Sequence, residues 1–387
     1  MVFVHLLGDF VVRRKRLGFV HRGHSIPPFR RVLLEPSCDL QRGFLSTVPP
    51  PAGRRYWTPA LVFPPTPVLR VLPSAATGSL PRRFHSSWLP SRVVSDQPKG
   101  AKLLDGRSVA TGIRERTVKR IQALREASTT PTLATIAMTD DPSSKRFLAL
   151  KHEACEEVGI DVRPTLLPSD APAERCYDAI EAASESTDID AVFVQVPLPE
   201  GVEEQRVRAS IAPAKDIDCF HPLNLGRLVG GDPAIEPATA GGILTLLDAY
   251  GISPVGRDVV IVGRSTAIGR PLANLLLRKA PGPDATVTVC HTFTSNLVAR
   301  TRQADVLVAA CGEPRLVDGA MLSPDTVVVD ASATRVETEN GHEIVGDVDF
   351  ESTRAKARAI TPVPGGVGPM TLASLLQNVV ILAERRA

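Results

Sequence analysis

The sequence predicts an α/β protein of two domains, each built on a parallel sheet, behind an N-terminal extension with no fold of its own. Two observations carry this. From Ala101 onward, helical periodicities alternate with short, wholly apolar runs, the pattern of buried strands covered by helices on both faces. Within that region the run Val259-Val-Ile-Val262 enters a turn bounded by Gly263 and Gly269 and then a helix. The 387 residues, 43% hydrophobic and 22% charged, suffice for two or three domains and exclude a fibrous or wholly disordered chain.

Residues 1–95 have a different composition. They hold 14 Lys+Arg but only Asp9, Glu35 and Asp39, a net +11, which leaves the rest of the chain 31 of its 45 basic and 39 of its 42 acidic groups. The overall charge of +3 therefore describes neither part, and no nucleic-acid partner is inferred from it. Runs such as Val48-Pro49-Pro50-Pro51, with no sustained period, predict a disordered extension. Three origins fit it: upstream sequence read from a mis-assigned start, an organellar transit segment, Arg-rich and acid-poor, with Arg82-Arg83-Phe84-His85 near its end, or a functional tail. Its prolines oppose the amphipathic helix that a presequence needs. The expected location is cytoplasmic, or the mitochondrial matrix if the segment is a genuine transit signal. A chain starting near Ser95 is expected to fold without the extension. No run of 18 apolar residues suggests a membrane span.

The first domain is placed over residues 100–236. Ser108 to Ala127 has an apolar helical face, and Thr132 to Met138 is an apolar strand. Asp141, Pro142 and Ser143 supply a cap and first turn for a helix to about Val158, where Gly159 stops it. Ile189 to Val196 is a second buried strand, ended by Pro197 and Pro199. The second domain, over residues 237–360, begins with a helix from Gly242 to Tyr250. The strand Asp258 to Val262, a helix Arg270 to Lys279, and strands at Thr286–Val289, Val306–Ala310 and Thr326–Asp330 follow, the rhythm of a Rossmann-type dinucleotide-binding fold. Residues 361–387 form a Pro/Gly loop and one long helix able to return to the first domain.

Gly263, Ser265 and Gly269 let a strand turn sharply into a closely packed helix, whose first backbone N–H groups can face a pyrophosphate. A ligand-free strand-turn-helix corner has the same pattern. An NAD site usually ends its second strand with a carboxylate for the ribose hydroxyls, whereas Val289-Cys290-His291-Thr292 has none. Arg264 and Thr292 suit a 2′-phosphate instead, which points to NADP; an Arg264 that is only a solvated surface charge fits the same sequence.

In the first domain Lys151 follows Phe147 by four residues, so the two share a helix face. An ammonium beside a ring suits a general acid/base with a flat substrate stacked on the aromatic; a lysine stem over a core phenylalanine fits the same spacing. Gln195 stands at the C-terminal end of a strand, where α/β folds bind ligands. Asp218 offers a carboxylate to the amino group and ring nitrogen of a pterin-like heterocycle, or orders its own loop. Pro364, Gly365 and Gly366, in the run Thr361-Pro-Val-Pro-Gly-Gly-Val-Gly-Pro-Met370, can lie close against a ligand. Six cysteines without a CxxC pair exclude a zinc ribbon and predict free thiols, and the histidines lack metal-ligand spacing.

Together these residues resemble the bifunctional methylenetetrahydrofolate dehydrogenase/cyclohydrolase family over roughly residues 101–387. The resemblance rests on Asp141-Pro-Ser-Ser144, Lys151 with Ala154-Cys-Glu-Glu-Val-Gly159, Val194-Gln195-Val-Pro-Leu-Pro199, Lys215-Asp-Ile-Asp218, Val262-Gly-Arg-Ser265 and Ile360-Thr-Pro-Val-Pro-Gly-Gly-Val-Gly-Pro-Met-Thr371. It implies a folate domain and an NADP domain around a cleft, a homodimer, and oxidation of 5,10-methylenetetrahydrofolate followed by hydrolysis to 10-formyltetrahydrofolate. Lys151 matches the family's catalytic lysine, Gln195 its supporting glutamine and Asp218 its folate-anchoring aspartate. Phe147 stands where the family usually has Tyr. Cys219 replaces a usual Gly and is expected to crowd the folate, and Asp330-Ala-Ser-Ala-Thr334 replaces Asp-Val-Gly-Ile-Asn. Two alternatives stay open: a relative that binds folate or NADP with little turnover, and an NADP dehydrogenase of shikimate or hydroxy-acid type.

Overall fold

The structure, a computed structural model, describes residues 100–387 apart from 280, 339 and 340, so the extension over residues 1–95 lies outside the described residues. Strand β1 (Lys102–Leu103) leads into helix α1 (Gly106–Glu126), where the Asp105 carboxylate accepts the Arg107 N–H. The buried side chains of α1, Ala110, Ile113, Thr117, Ile121 and Leu124, recur every three or four residues and make its core face. Strand β2 (Thr132–Met138) is buried along its whole length. Helix α2 (Pro142–Val158) starts on Asp141, which accepts the Ser144 N–H at 2.7 Å, and ends at Gly159 in the left-handed conformation. Both ends follow the signals in the sequence.

Strand β3 (Asp161–Leu167), helix α3 (Ala173–Glu185) and strand β4 (Ala191–Val194) complete the first lobe, whose parallel sheet has the order β3-β2-β4. The sequence hides β3 because it is a largely exposed edge carrying Arg163 and Pro164, tolerable only where no neighbour needs the missing donor. Strand β4 is shorter than the expected Ile189–Val196, and Gln195 falls just past its end. Helices α4 (Glu204–Ser210), α5 (Pro222–Val229) and α6 (Ala238–Ala249) lead to the second lobe.

There strand β5 (Asp258–Val262), helix α7 (Gly269–Leu276), strand β6 (Thr286–Cys290), helix α8 (Leu297–Thr301) and strands β7 (Val306–Ala309) and β8 (Val327–Asp330) alternate. An antiparallel hairpin of β9 (Thr334–Thr338) and β10 (Gly341–Val345), helix α9 (Phe350–Arg354), strand β11 (Ala359–Ile360) and helix α10 (Val367–Arg386) follow. The parallel sheet has the order β1-β11-β8-β7-β5-β6. With β6 on one side of β5 and β7 on the other, the winding reverses at the end of β5, the place where such sheets bind ligands.

One boundary differs from the expected division. Lys102 and Leu103 pair with Ala359 and Ile360, so the start of the residue 100–236 segment belongs to the second lobe's sheet. Helix α10 returns to the first lobe: Leu375, Leu376, Val379 and Ala383 share a core with Ile121, Leu133 and Phe193. By length and composition alone α10 could cross a membrane, yet 61% of its apolar stretch is buried inside the fold. Its hydropathy is that of a core helix.

Candidate active site

A cavity opens at the C-terminal end of β4 and is lined by Phe147, Lys151, Gln195 and Asp218 together with Phe193, Phe220, Thr239, Ala267 and residues of α10. Helix α2 supplies the first two at one-turn spacing. The Lys151 Nζ lies 4.3 Å from the Phe147 ring centroid and 3.8 Å from that of Phe193, and it donates to Gln195 Oε1 at 3.3 Å. The Gln195 amide Nε2 donates to Val196 O at 2.5 Å, which fixes the carbonyl end of the side chain toward the lysine. A lysine stem merely covering a core ring would not be held this way.

Burial drives the Lys151 pKa down to about 7, against the opposing pull of Asp218; burial likewise pushes the Asp218 carboxyl up, opposed by Lys151 and Arg208 and reinforced by Asp216. The two groups titrate as a pair, poised near neutral pH. If the neutral amine is the working base, hydrolysis in this cavity rises as pH climbs through about 7 and then levels. Ionisation of Asp218 acts in the same direction, so an Asp218→Asn profile separates the two. A wild-type hydrolysis rate that falls across this window contradicts the assignment.

Phe193 escaped the sequence reading although a signal existed: it lies two residues before Gln195, and alternation along β4 puts both side chains on one side. Thr239 lies in Pro237-Ala-Thr-Ala240, which stands where the family usually has Pro-Cys-Thr-Pro, and Ala267 lies in the glycine turn; the tertiary fold brings both to this cavity. Thr371 Oγ1 donates to Thr239 Oγ1 at 3.2 Å, joining α10 to α6 at the cavity wall.

Pro364, Gly365 and Gly366 do not line this cavity. They border a second depression with Arg107 and Asp330 to Ala333. Gly365 O accepts the Gly106 N–H at 2.9 Å, and a Cβ on Gly106 would lie 1.9 Å from Gly366 O. It is thus Gly106 whose missing side chain lets the loop approach α1, while a Cβ on Gly366 would lie 2.6 Å from Thr361 Cβ within the loop itself. Cys219 corrects another expectation: its side chain is absent from the cavity lining and packs in the core with Leu228 and Ile243, on a backbone with φ 59°. Ser332 is absorbed as well, its Oγ donating to Asp347 Oδ2 at 2.7 Å and its N–H to Asp330 Oδ1 at 3.1 Å. Burial and the neighbouring Asp347 lift the Asp330 pKa to about 7.

At the end of β5 the turn is tight. A Cβ on Gly263, at φ 128°, would lie 2.1 Å from Ala310 O, and one on Gly269 would lie 2.2 Å from Gly263 O. Ser265 Oγ accepts the Ile268 N–H at 3.1 Å and shapes the turn from within. Arg264 and Thr292 are exposed at the ends of the adjacent strands β5 and β6, and among the described residues no ion pair holds Arg264. A free guanidinium and a hydroxyl, with no carboxylate ending β6, form a donor set suited to a 2′-phosphate.

Phe147→Tyr probes the lysine's setting. The added hydroxyl keeps the ring area, so folate affinity is expected to stay within about 1 kcal/mol. By offering Lys151 a further partner it is expected to raise hydrolytic turnover more than hydride transfer. Unchanged or lower hydrolysis in a folded variant would mean that the Phe belongs to a differently used site.

Residues 104–218 match the catalytic domain of the tetrahydrofolate dehydrogenase/cyclohydrolase family, and residues 237–387 match its NAD(P)-binding domain. The bifunctional protein FolD of Haloquadratum walsbyi is 48% identical over 279 residues, which cover 72% of this chain and 90% of that protein. A crystal structure of the bifunctional FolD dehydrogenase/cyclohydrolase from Campylobacter jejuni aligns with a TM-score of 0.70 at 38% identity, covering 74% of this chain and all of the other. That of the Trypanosoma brucei enzyme, complexed with NADP cofactor and inhibitor, aligns with a TM-score of 0.70 at 34% identity, over 74% and 98% of the two chains.

Proposed function

The chain belongs to the tetrahydrofolate dehydrogenase/cyclohydrolase family, and on that premise we propose that it oxidises 5,10-methylenetetrahydrofolate with NADP and hydrolyses the methenyl product to 10-formyltetrahydrofolate. One observation carries the reading: Ala267 of the glycine turn lines the same cavity as Lys151, Gln195 and Asp218, so the hydrolytic groups and the cofactor's turn share one cleft. NADP, when bound, supplies the hydride acceptor. Gly263, Ser265 and Gly269 form the turn for its diphosphate, while Arg264 and Thr292 read its 2′-phosphate.

The chain's own groups account for the hydrolysis. Phe147 and Phe193 exclude water from the Lys151 stem, and Phe147 offers a face for the flat substrate. Asp218 anchors the pterin end through its carboxylate. Neutral Lys151, oriented by Gln195, accepts a proton from the water attacking the methenyl carbon and returns it to N5 as the bond from that carbon to N5 breaks, while the carbinol hydroxyl gives its proton to solvent as the formyl C=O forms. The low-turnover alternative draws on Phe147, Cys219 and Ser332; the side chains of the last two serve the core and a buried hydrogen-bond network, which leaves Phe147 as the departure at the cavity itself. Family membership removes the shikimate or hydroxy-acid alternative.

The protein acts as a homodimer in this reading. Strand β6 leaves one sheet edge open, with Val289, Phe293 and Val298 exposed nearby. Light scattering on the purified protein tests this, and a monomer at micromolar concentration contradicts it. For the activity, purified protein is mixed with methenyltetrahydrofolate and the loss of methenyl absorbance is followed. Decay well above the buffer rate is expected; decay at the buffer rate would exclude the hydrolytic half.

A further inference from the structure

Helix α4 carries an arginine that the mechanism above leaves unused. Arg208 follows Glu204 by one helical turn, a spacing that ordinarily marks a solvated charge pair. Here the arginine side chain is only 15% exposed, against 55% for the glutamate. While paired with Glu204, its Nη2 also donates to Thr266 Oγ1 at 2.8 Å. Thr266 lies inside the turn between Gly263 and Gly269, so this bond runs from the first lobe to the cofactor's turn. The same guanidinium sits 4.7 Å from the ring centroid of Phe220, which lines the Lys151 cavity.

A guanidinium that loses most of its water needs hydrogen bonds in return, and a planar fork suits several partners at once. Glu204 and Thr266 accept its hydrogen bonds, and the Phe220 face adds a cation–π contact, so that three segments hold it. A side chain fixed on both lobes restricts the turn's movement relative to the folate cavity. A flexible turn must be ordered before its N–H groups can converge on a diphosphate, and that ordering costs affinity.

We propose that Arg208 is a positioning residue that clasps the Thr266 turn to the folate lobe and so holds the cofactor's phosphate site in binding geometry. This rests on the reading of the turn as the NADP site. Calorimetric titration of NADP into full-length Arg208→Met, Thr266→Val and the double variant tests it. Each single variant is expected to bind NADP about 3- to 10-fold more weakly, the worth of one hydrogen bond. The double variant is expected to match Arg208→Met within about twofold, because both changes break the same contact. Arg208→Lys should recover part of the loss. In the dehydrogenase assay Thr266→Val raises the KM for NADP while kcat at saturating NADP holds, a split that general destabilisation would not give.

Unchanged NADP affinity in folded Arg208→Met, or losses that multiply in the double variant, would overturn the proposal. Should Arg208→Met fail to fold, Thr266→Val decides alone: a weakened NADP site supports the clasp and an unchanged one refutes it. Wild-type protein that does not bind NADP would overturn the cofactor reading itself, a different outcome from a neutral Arg208 variant in a protein that does.

Discussion

Lys151→Met is expected to abolish methenyltetrahydrofolate hydrolysis while leaving NADP affinity nearly unchanged. The substitution keeps the length and apolar packing of the stem between Phe147 and Phe193 but removes the nitrogen that bonds Gln195. Loss of a positioned general acid/base costs about 10²- to 10⁴-fold. The cofactor turn lies on the other lobe, so its affinity has no direct reason to change. Removing a partly buried ammonium also removes a desolvation cost, so the variant should melt no lower than wild type. Asp218 loses the charge that favours its ionised form, so its pKa should climb further in the variant. Hydrolysis at the wild-type rate would show that the lysine is a packing residue after all.

Arg264→Ala should weaken NADP by about 1–3 kcal/mol, or about 5- to 150-fold in Kd, the range for a charge-assisted contact to phosphate. NAD, which lacks the 2′-phosphate, should bind the variant about as well as it binds wild type. The side chain is exposed, which places the effect toward the lower end of that range and makes it salt-dependent. Calorimetry with both cofactors at two ionic strengths reads this directly. Equal loss for NADP and NAD would mean that Arg264 supports the turn and does not read the phosphate.

How far the sequence disclosed the site depended on whether its parts were local. Phe147 and Lys151 sit one helical turn apart, so their shared face follows from the period alone. The glycine turn was equally legible from its strand-glycine-glycine-helix pattern, although only Gly269 answers to a local clash, with Gly263 O; the carbonyl that Gly263 must clear belongs to Ala310 on a distant strand. For Pro364, Gly365 and Gly366 the sequence showed a backbone able to lie close against a ligand, but not that the depression they border is shared with Arg107 and Asp330 to Ala333, which only the tertiary fold brings together. The crowding expected of Cys219 failed because the direction of its side chain depends on the fold around it.

The fold shows the same division. Strand β2, apolar throughout, was evident, whereas β3 was concealed by the charges and proline that an exposed edge tolerates. The transfer of β1 to the second lobe's sheet rests on the pairing of two residues with a strand near the other end of the chain. No local pattern encodes that pairing. Arg208 reads in sequence as half of a solvated pair with Glu204, and only the packing of α4 beside the glycine turn gives it another partner.

The central claim is that one cleft carries out two successive steps on the same folate. Its most direct test gives purified wild-type protein 5,10-methylenetetrahydrofolate and NADP and follows NADPH and methenyltetrahydrofolate absorbance in the same cuvette. The expected result is steady NADPH formation with methenyl lagging well behind it and 10-formyltetrahydrofolate as the final product, whereas Lys151→Met accumulates methenyl mole for mole with NADPH. No NADPH formation by folded wild-type protein, or identical methenyl traces for wild type and Lys151→Met, would contradict the account.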